Sequence, residues 1–136
     1  MKSRETLLRL KRFQVDEKRR QVTQLETMIN EFERMAAELD VQILAEQNRS
    51  GIHDATHFAY PTFAKAALTR KDNLLNSAND LKGQLSAART ALAEAFEEMK
   101  KIELLDERDR EAERVVQATR DQAEMDHIAG LRAGTR

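Results

Sequence analysis

Two long stretches of this chain repeat their apolar side chains every 3.5 residues, and a short break separates them. Apolar residues at alternating steps of three and four form one stripe along an α-helix, which is typical of a coiled-coil seam. The first stripe comprises Leu8, Lys11, Val15, Lys18, Val22, Leu25, Ile29, Phe32, Ala36, Leu39, Ile43 and Glu46. The second comprises Lys71, Leu74, Ala78, Leu81, Leu85, Ala88, Leu92, Ala95, Met99, Ile102, Asp106 and Asp109. Both stripes become charged away from the middle of the chain, so we expect the open end to fray.

The break between the stripes carries signals for the end of one helix and the start of another. Gly51 follows Asn48-Arg-Ser, as at a helix C-terminus, and Pro61 is typical of a first helical turn. Because a short connection makes two helices antiparallel neighbours, the sequence predicts an all-α fold, a long antiparallel two-helix coiled-coil hairpin. We expect a single domain over residues 1–136, with helix 1 at about 3–49, a tip at about 50–60, helix 2 at about 61–129 and a flexible tail at 130–136.

Facing residues in an antiparallel pair have numbers that add to a constant, and a total of 117 opposes large with small apolar side chains. It also gives the oppositely charged pairs Glu46/Lys71, Lys11/Asp106 and Arg4/Glu113. Totals of 110 and 124 keep the seam but lose the Glu46/Lys71 match, so we prefer 117, with the midpoint between Phe58 and Ala59. Beyond Ile102 we expect the seam to shift to Leu105, as at a heptad interruption.

Composition narrows the possible classes of protein. With 35% charged and 4% aromatic residues, four Gly and one Pro, the chain lacks the material of a compact core and is expected to be helical and elongated. It has neither an apolar stretch of about 18 residues nor a secretory signal, so we expect a cytoplasmic protein. The absence of cysteine excludes disulfides, thiol catalysis and zinc-thiolate sites.

The net charge of −1 conceals two oppositely charged segments. Residues 1–20 hold eight basic and three acidic side chains, whereas residues 94–113 hold nine acidic and four basic ones, so we expect the segments to pair. The outward basic side chains are expected to meet an acidic protein partner, and they are Arg9, Arg12, Arg19 and Arg20. Nucleic-acid binding is disfavoured because the segment lacks interleaved aromatic residues.

The histidine pair in the break, His53 and His57, has the spacing of a zinc-protease helix. Such a site needs a third ligand, a carboxylate longer than that of Asp54, and a cleft that excludes water, and a two-helix hairpin has none. We therefore interpret the segment as a polar turn and expect no enzyme activity, no metal and no cofactor.

The break is rich in apolar side chains, with Phe58, Tyr60, Phe63 and Ala67 within ten residues. Exposed aromatic groups of this kind are typical of binding surfaces. The alternative is that they fold back and close the end of the seam.

Several segments together give the chain a resemblance to a known family. These are "ETLLRLKRFQVDEKRRQVTQLE" near the start, "FAYPTFAKAAL" at the break and "ERVVQATRDQAEMDHI" in the longer second helix. The chain resembles the flagellar export protein FliJ family over nearly its whole length. The resemblance implies a non-enzymatic coiled-coil stalk in the central hole of the hexameric flagellar export ATPase, contacting the export gate protein FlhA.

The resemblance also implies where the partners bind. The ATPase would meet the open end with Arg9, Arg12, Arg19 and Arg20, and export chaperones are a further class of partner. The gate would meet the tip residues Leu44, Gln47, Phe58, Tyr60, Phe63, Ala67 and Arg70. Such a protein would be cytoplasmic, peripheral to the inner-membrane export apparatus, and would serve flagellum biogenesis and through it chemotaxis. A virulence-type secretion system and a generic coiled-coil scaffold or basic-arm nucleic-acid-associated protein stay open as alternatives.

Overall fold

The computed structural model describes residues 2–134, which form two long helices joined by a short loop. Helix α1 spans Lys2–Ser50 and helix α2 spans Thr62–Gly134. Gly51 ends α1 with a φ of 77°, and its amide donates to the carbonyl of Gln47 at 2.8 Å. Only glycine adopts such a left-handed conformation without strain, so this residue fixes the helix end. The predicted all-α antiparallel hairpin is confirmed.

The end of α2 differs from the prediction. The helix continues through Gly134, whereas we expected it to end near residue 129. The loss of apolar periodicity after that point reflects the absence of a facing helix, and a helix on its own needs no seam. Thr135 and Arg136, the last residues of the expected flexible tail, lie outside the described residues.

Contacts group the described residues into two compact units. The tip unit comprises Asp16–Glu94 and includes the loop. The end unit comprises the described residues up to Val15 together with those from Ala95 onward. In each unit a segment of α1 pairs with a segment of α2.

The core of the tip unit follows the predicted seam. On α1 it buries one residue in every seven, namely Val22, Ile29, Ala36 and Ile43. One cluster joins Val22, Ile29 and Leu85, with Leu25, Leu81, Ala88 and Leu92 packed around it. A second cluster closes the tip through Ile43, Tyr60, Ala64 and Ala67. The heptad spacing of the buried residues is that of a coiled-coil interface.

The predicted register is wrong by about one heptad at the tip. Ile43 packs in a cluster with Ala64 and Ala67, so facing residue numbers add to about 110, whereas a total of 117 would oppose it to Leu74. Lys71 binds Asp40 at 2.7 Å instead of Glu46. This contact raises the pKa of Lys71, first through the hydrogen bond that its ammonium donates to Asp40. The loop explains the difference, because helices that end at residue 50 and restart at residue 62 turn about residue 56.

The end unit has a thinner and more polar core. Leu8, Val15 and Met99 are buried, and so is the carboxylate of Asp106, which pairs with Arg110 at 3.1 Å. Its cross-helix ion pairs are Arg4–Asp109, Lys11–Glu98 and Arg110–Glu5. The predicted pairs Lys11/Asp106 and Arg4/Glu113 are therefore wrong, because Lys11 pairs eight residues and Arg4 four residues earlier on α2 than expected. The oppositely charged segments do meet within this unit.

The expected seam shift beyond Ile102 is also wrong. Asp106, at the unshifted heptad position, is only 5% exposed, whereas Leu105 is 41% exposed. The unbroken helix keeps its original face against α1, so a charged residue occupies a core position and a leucine faces outward.

Candidate partner-binding surfaces

The tip loop is held by a short series of local hydrogen bonds. One carboxylate oxygen of Asp54 accepts from both the amide and the hydroxyl of Thr56, at 2.9 and 2.7 Å. Both hydrogen bonds lower the pKa of Asp54 below its usual range, and the bond from the Thr56 hydroxyl has the larger effect. The amide of His57 donates to the carbonyl of Asp54, and that of Tyr60 to the carbonyl of His57, each at 3.0 Å. The loop is thus an ordered turn, held in part by the side chain of an Asp residue, as is common in turns.

The two loop histidines form local hydrogen bonds at this turn. His53 contacts the side-chain oxygen of Asn48 through Nε2 at 3.1 Å, and Nδ1 of His57 accepts from the amide of Ala59 at 3.0 Å. Because the segment is a loop, the two imidazoles do not lie on one helical face. Among residues 2–134, no three His, Cys, Asp or Glu residues are grouped so that they could hold a metal ion.

The predicted tip surface divides into buried and exposed residues. Tyr60 and Ala67 are 7% and 5% exposed and belong to the core that closes the tip. These two residues therefore fold back and close the end of the seam instead of forming a binding surface. Gln47 donates through Nε2 to the Tyr60 hydroxyl at 2.9 Å and supports that core. The side chains at the surface are Leu44, Phe58, Phe63 and Arg70.

Phe58 is the most exposed of these side chains. It is 97% exposed and stacks on the ring of His57, with the ring centroids 4.7 Å apart. Its neighbours along the chain are fixed by the loop hydrogen bonds and by buried Tyr60, so an exposed aromatic ring is presented on an ordered turn. Aromatic side chains are enriched at protein interfaces, so this ring is a candidate contact residue.

One apolar side chain near the tip, that of Val41, was not predicted. Val41 is 70% exposed and lies one turn before Leu44, which is 55% exposed, so the two form an apolar patch on the outer face of α1. Arg70 lines a shallow groove with Met35, Gln42 and Leu74. The signal for Val41 and Leu44 was present in the sequence, as two apolar residues three apart outside the seam.

The four predicted basic residues differ in their surroundings. Arg19 lies 3.6 Å from Asp16, and Arg20 forms an ion pair with Glu17. Within residues 2–134, Arg9 and Arg12 have no carboxylate partner, and both are exposed. Leu10 and Phe13 beside them are 50% and 58% exposed. They were not predicted as contact residues, although apolar residues outside the seam are a signal for an exposed surface.

The last part of α2, beyond the ion pair of Arg110 with Glu5, has no facing helix in the end unit. Every residue from Arg110 to Gly134 is exposed. Apolar side chains continue along it, at 45–65% exposure, and they are Val115, Val116, Met125, Ile128 and Leu131. We call this segment the α2 extension. Because most helical stability in proteins comes from packing of an apolar face, a covering partner would stabilise this unpacked segment.

Neither helix in the described part of the chain is long and apolar enough to cross a membrane. A family model described as "Flagellar FliJ protein" matches residues 1–136, which is the whole chain. No curated protein and no solved structure matches the chain.

Proposed function

This chain belongs to the FliJ family and is a component of the flagellar type III export apparatus, and we propose that it acts there as a non-enzymatic stalk. In this proposal the α2 extension and the basic start of α1 enter the central hole of the hexameric export ATPase. The tip contacts the export gate protein FlhA. The protein is cytoplasmic and reaches the membrane only through the export apparatus, where export chaperones are further partners.

The observation that carries the proposal is the α2 extension. Its residues are all exposed, yet five large apolar side chains project from it. Because intrinsic propensity rarely stabilises a single helix in water, such a segment is expected to gain stability from a partner that surrounds it. A ring with a central hole offers contacts on all sides of one helix.

The tip supports a second contact of different character. Phe58, Phe63 and Leu44 are 97%, 54% and 55% exposed on a loop and helix ends that are ordered by their own hydrogen bonds and core. A preformed apolar surface loses little conformational entropy on binding. With two separate contact surfaces, one protein can bind two partners at the same time and connect them without any chemical reaction.

The proposal is tested by exchanging the two surfaces' apolar residues for glutamine, which favours helix and adds no charge. One variant carries Val116→Gln and Ile128→Gln in the α2 extension, and the other carries Leu44→Gln and Phe63→Gln at the tip. We expect the first to lose affinity for the purified export ATPase and keep gate binding, and the second to do the reverse. Loss of neither interaction, or of both in each variant, would contradict the assignment of the two surfaces.

A further inference from the structure

Four of the five residues at positions 9–13, all except the seam residue Lys11, form an outward surface that mixes charge with apolar area. Leu10 and Phe13 are three residues apart and 50% and 58% exposed, and Arg9 and Arg12 are exposed beside them. Residues three and four apart are neighbours on a helix, so the four side chains lie together on two successive turns. We call this set the basic-apolar face.

The basic-apolar face lies outside the seam. Leu8 and Val15, the seam residues on either side, are 5% and 2% exposed and pack inward. Leu10 and Phe13 therefore leave half or more of their surface in water, where a partner can cover it. Isolated exposed apolar residues are ordinary, but an adjacent pair flanked by two cations is more specific.

The charges of this face are available, in contrast to those further along α1. Arg19 and Arg20 each have a carboxylate three residues before them, in Asp16 and Glu17. Arg9 and Arg12 have no such partner in the described part of the chain. A partner that binds Arg19 or Arg20 must compete with a local ion pair, whereas one that binds Arg9 and Arg12 need not.

We propose that Arg9, Leu10, Arg12 and Phe13 form the docking surface for a protein patch in which carboxylates border an apolar pocket, and that Arg19 and Arg20 take no part. Arginine and phenylalanine are both enriched at protein interfaces, and arginine is among the residues that most often dominate the binding energy. This inference rests on the proposed function, in which the partner is the export ATPase. A nucleic acid is disfavoured because two of the four side chains are apolar, whereas a phosphate backbone is bound chiefly through Lys and Arg.

The chain supplies a charge-matched control for the test. The variant Arg9→Gln/Arg12→Gln and the control Arg19→Gln/Arg20→Gln both remove two positive charges from exposed helical positions. A third full-length variant, Leu10→Gln/Phe13→Gln, removes the apolar part. Binding of each to the purified flagellar export ATPase of the same system is measured by biolayer interferometry at low and physiological salt, after circular dichroism confirms an unchanged helix content.

We expect the first and third variants to bind about tenfold or more weakly, and the control to stay within about twofold of the wild type. The salt dependence should decrease in Arg9→Gln/Arg12→Gln alone. Equal weakening by both arginine pairs, or no weakening by Leu10→Gln/Phe13→Gln, would overturn the inference and leave the proposed function standing. Failure of the wild type to bind the ATPase would overturn both. Binding to duplex DNA or anionic vesicles that needs Arg9 and Arg12 would overturn the choice of a protein partner.

Discussion

Replacement of Tyr60 should destabilise the tip, because this side chain is part of the core. It is 7% exposed and packs with Ile43, Ala64 and Ala67, and its hydroxyl accepts a hydrogen bond from Gln47 at 2.9 Å. The informative pair of variants is Tyr60→Phe, which removes only the hydroxyl, and Tyr60→Ala, which removes the ring as well. Phe58→Ala is the matched control, because that aromatic ring is 97% exposed.

The expected magnitudes follow from burial. Removing a buried aromatic ring costs about 3–5 kcal/mol, and the lower value fits a small cluster at the end of a hairpin, where neighbours can relax. Loss of the hydroxyl should cost about 0.5–1 kcal/mol, since the half-buried Gln47 amide can turn to water. At about 3–5 °C for each kcal/mol in a chain of this size, Tyr60→Ala should lower Tm by about 10 °C and Tyr60→Phe by about 2–4 °C.

Thermal and urea unfolding followed by circular dichroism at 222 nm measure these differences. Phe58→Ala should stay within about 0.5 kcal/mol of the wild type, as exposed substitutions usually do. An unchanged midpoint for Tyr60→Ala, or an equal loss in Phe58→Ala, would refute the assignment of Tyr60 to the core. A loss of gate binding in Tyr60→Ala would then reflect a disordered tip, so Phe58→Ala and Phe63→Ala are the proper probes of the contact itself.

Three further changes test separate features of the hairpin. Gly83→Ala should stabilise the protein by about 0.5–1 kcal/mol in urea unfolding, because a β-carbon there meets nothing within 4 Å and α2 is helical throughout; a destabilised variant would show that the space is occupied. Asp106→Leu should raise stability by about 1 kcal/mol, because it replaces a buried carboxylate with an apolar core residue while Arg110 stays in water; a lower urea midpoint would contradict the polar-layer interpretation. The folded-state pKa of Asp54 is lowered, so its bonds to Thr56 are present above the ordinary carboxyl pKa and lost as pH falls through the lowered value. The Thr56 amide chemical shift in NMR should therefore titrate below the usual Asp range, and Asp54→Asn should remove that titration.

The helices and their seam were predictable because they depend on local signals. Gly51 and Pro61 marked the helix boundaries, and a 3.5-residue repeat in each helix defined the buried face. Register was not settled by those signals, because a shift of seven residues leaves every seam residue on the seam. The Glu46/Lys71 match was a poor discriminator, since helical side chains lean toward their own N-terminus and a surface ion pair contributes little. The loop's centre near residue 56 was the better guide.

The candidate surfaces were only partly predictable for a related reason. Residue type predicted that the tip would be aromatic, but it did not distinguish buried Tyr60 from exposed Phe58 two residues away. That difference depends on the path of the loop, which Asp54 and Thr56 determine through their hydrogen bonds. Leu10 and Phe13 could have been found by searching for apolar residues outside the seam, whereas the pairing state of each arginine required the structure.

The central claim is that α1 and α2 pair at the tip so that facing residue numbers add to about 110, and engineered cysteine pairs test it directly. The natural chain contains no cysteine, so any intramolecular disulfide must join the two engineered residues. Ile43→Cys with Ala67→Cys should form an intramolecular disulfide rapidly under mild oxidation, because these residues share one buried cluster. Ile43→Cys with Leu74→Cys should not, since seven residues displace the partner by about 10 Å along the helix. Faster closure of the second pair, or only intermolecular products from the first, would contradict the account.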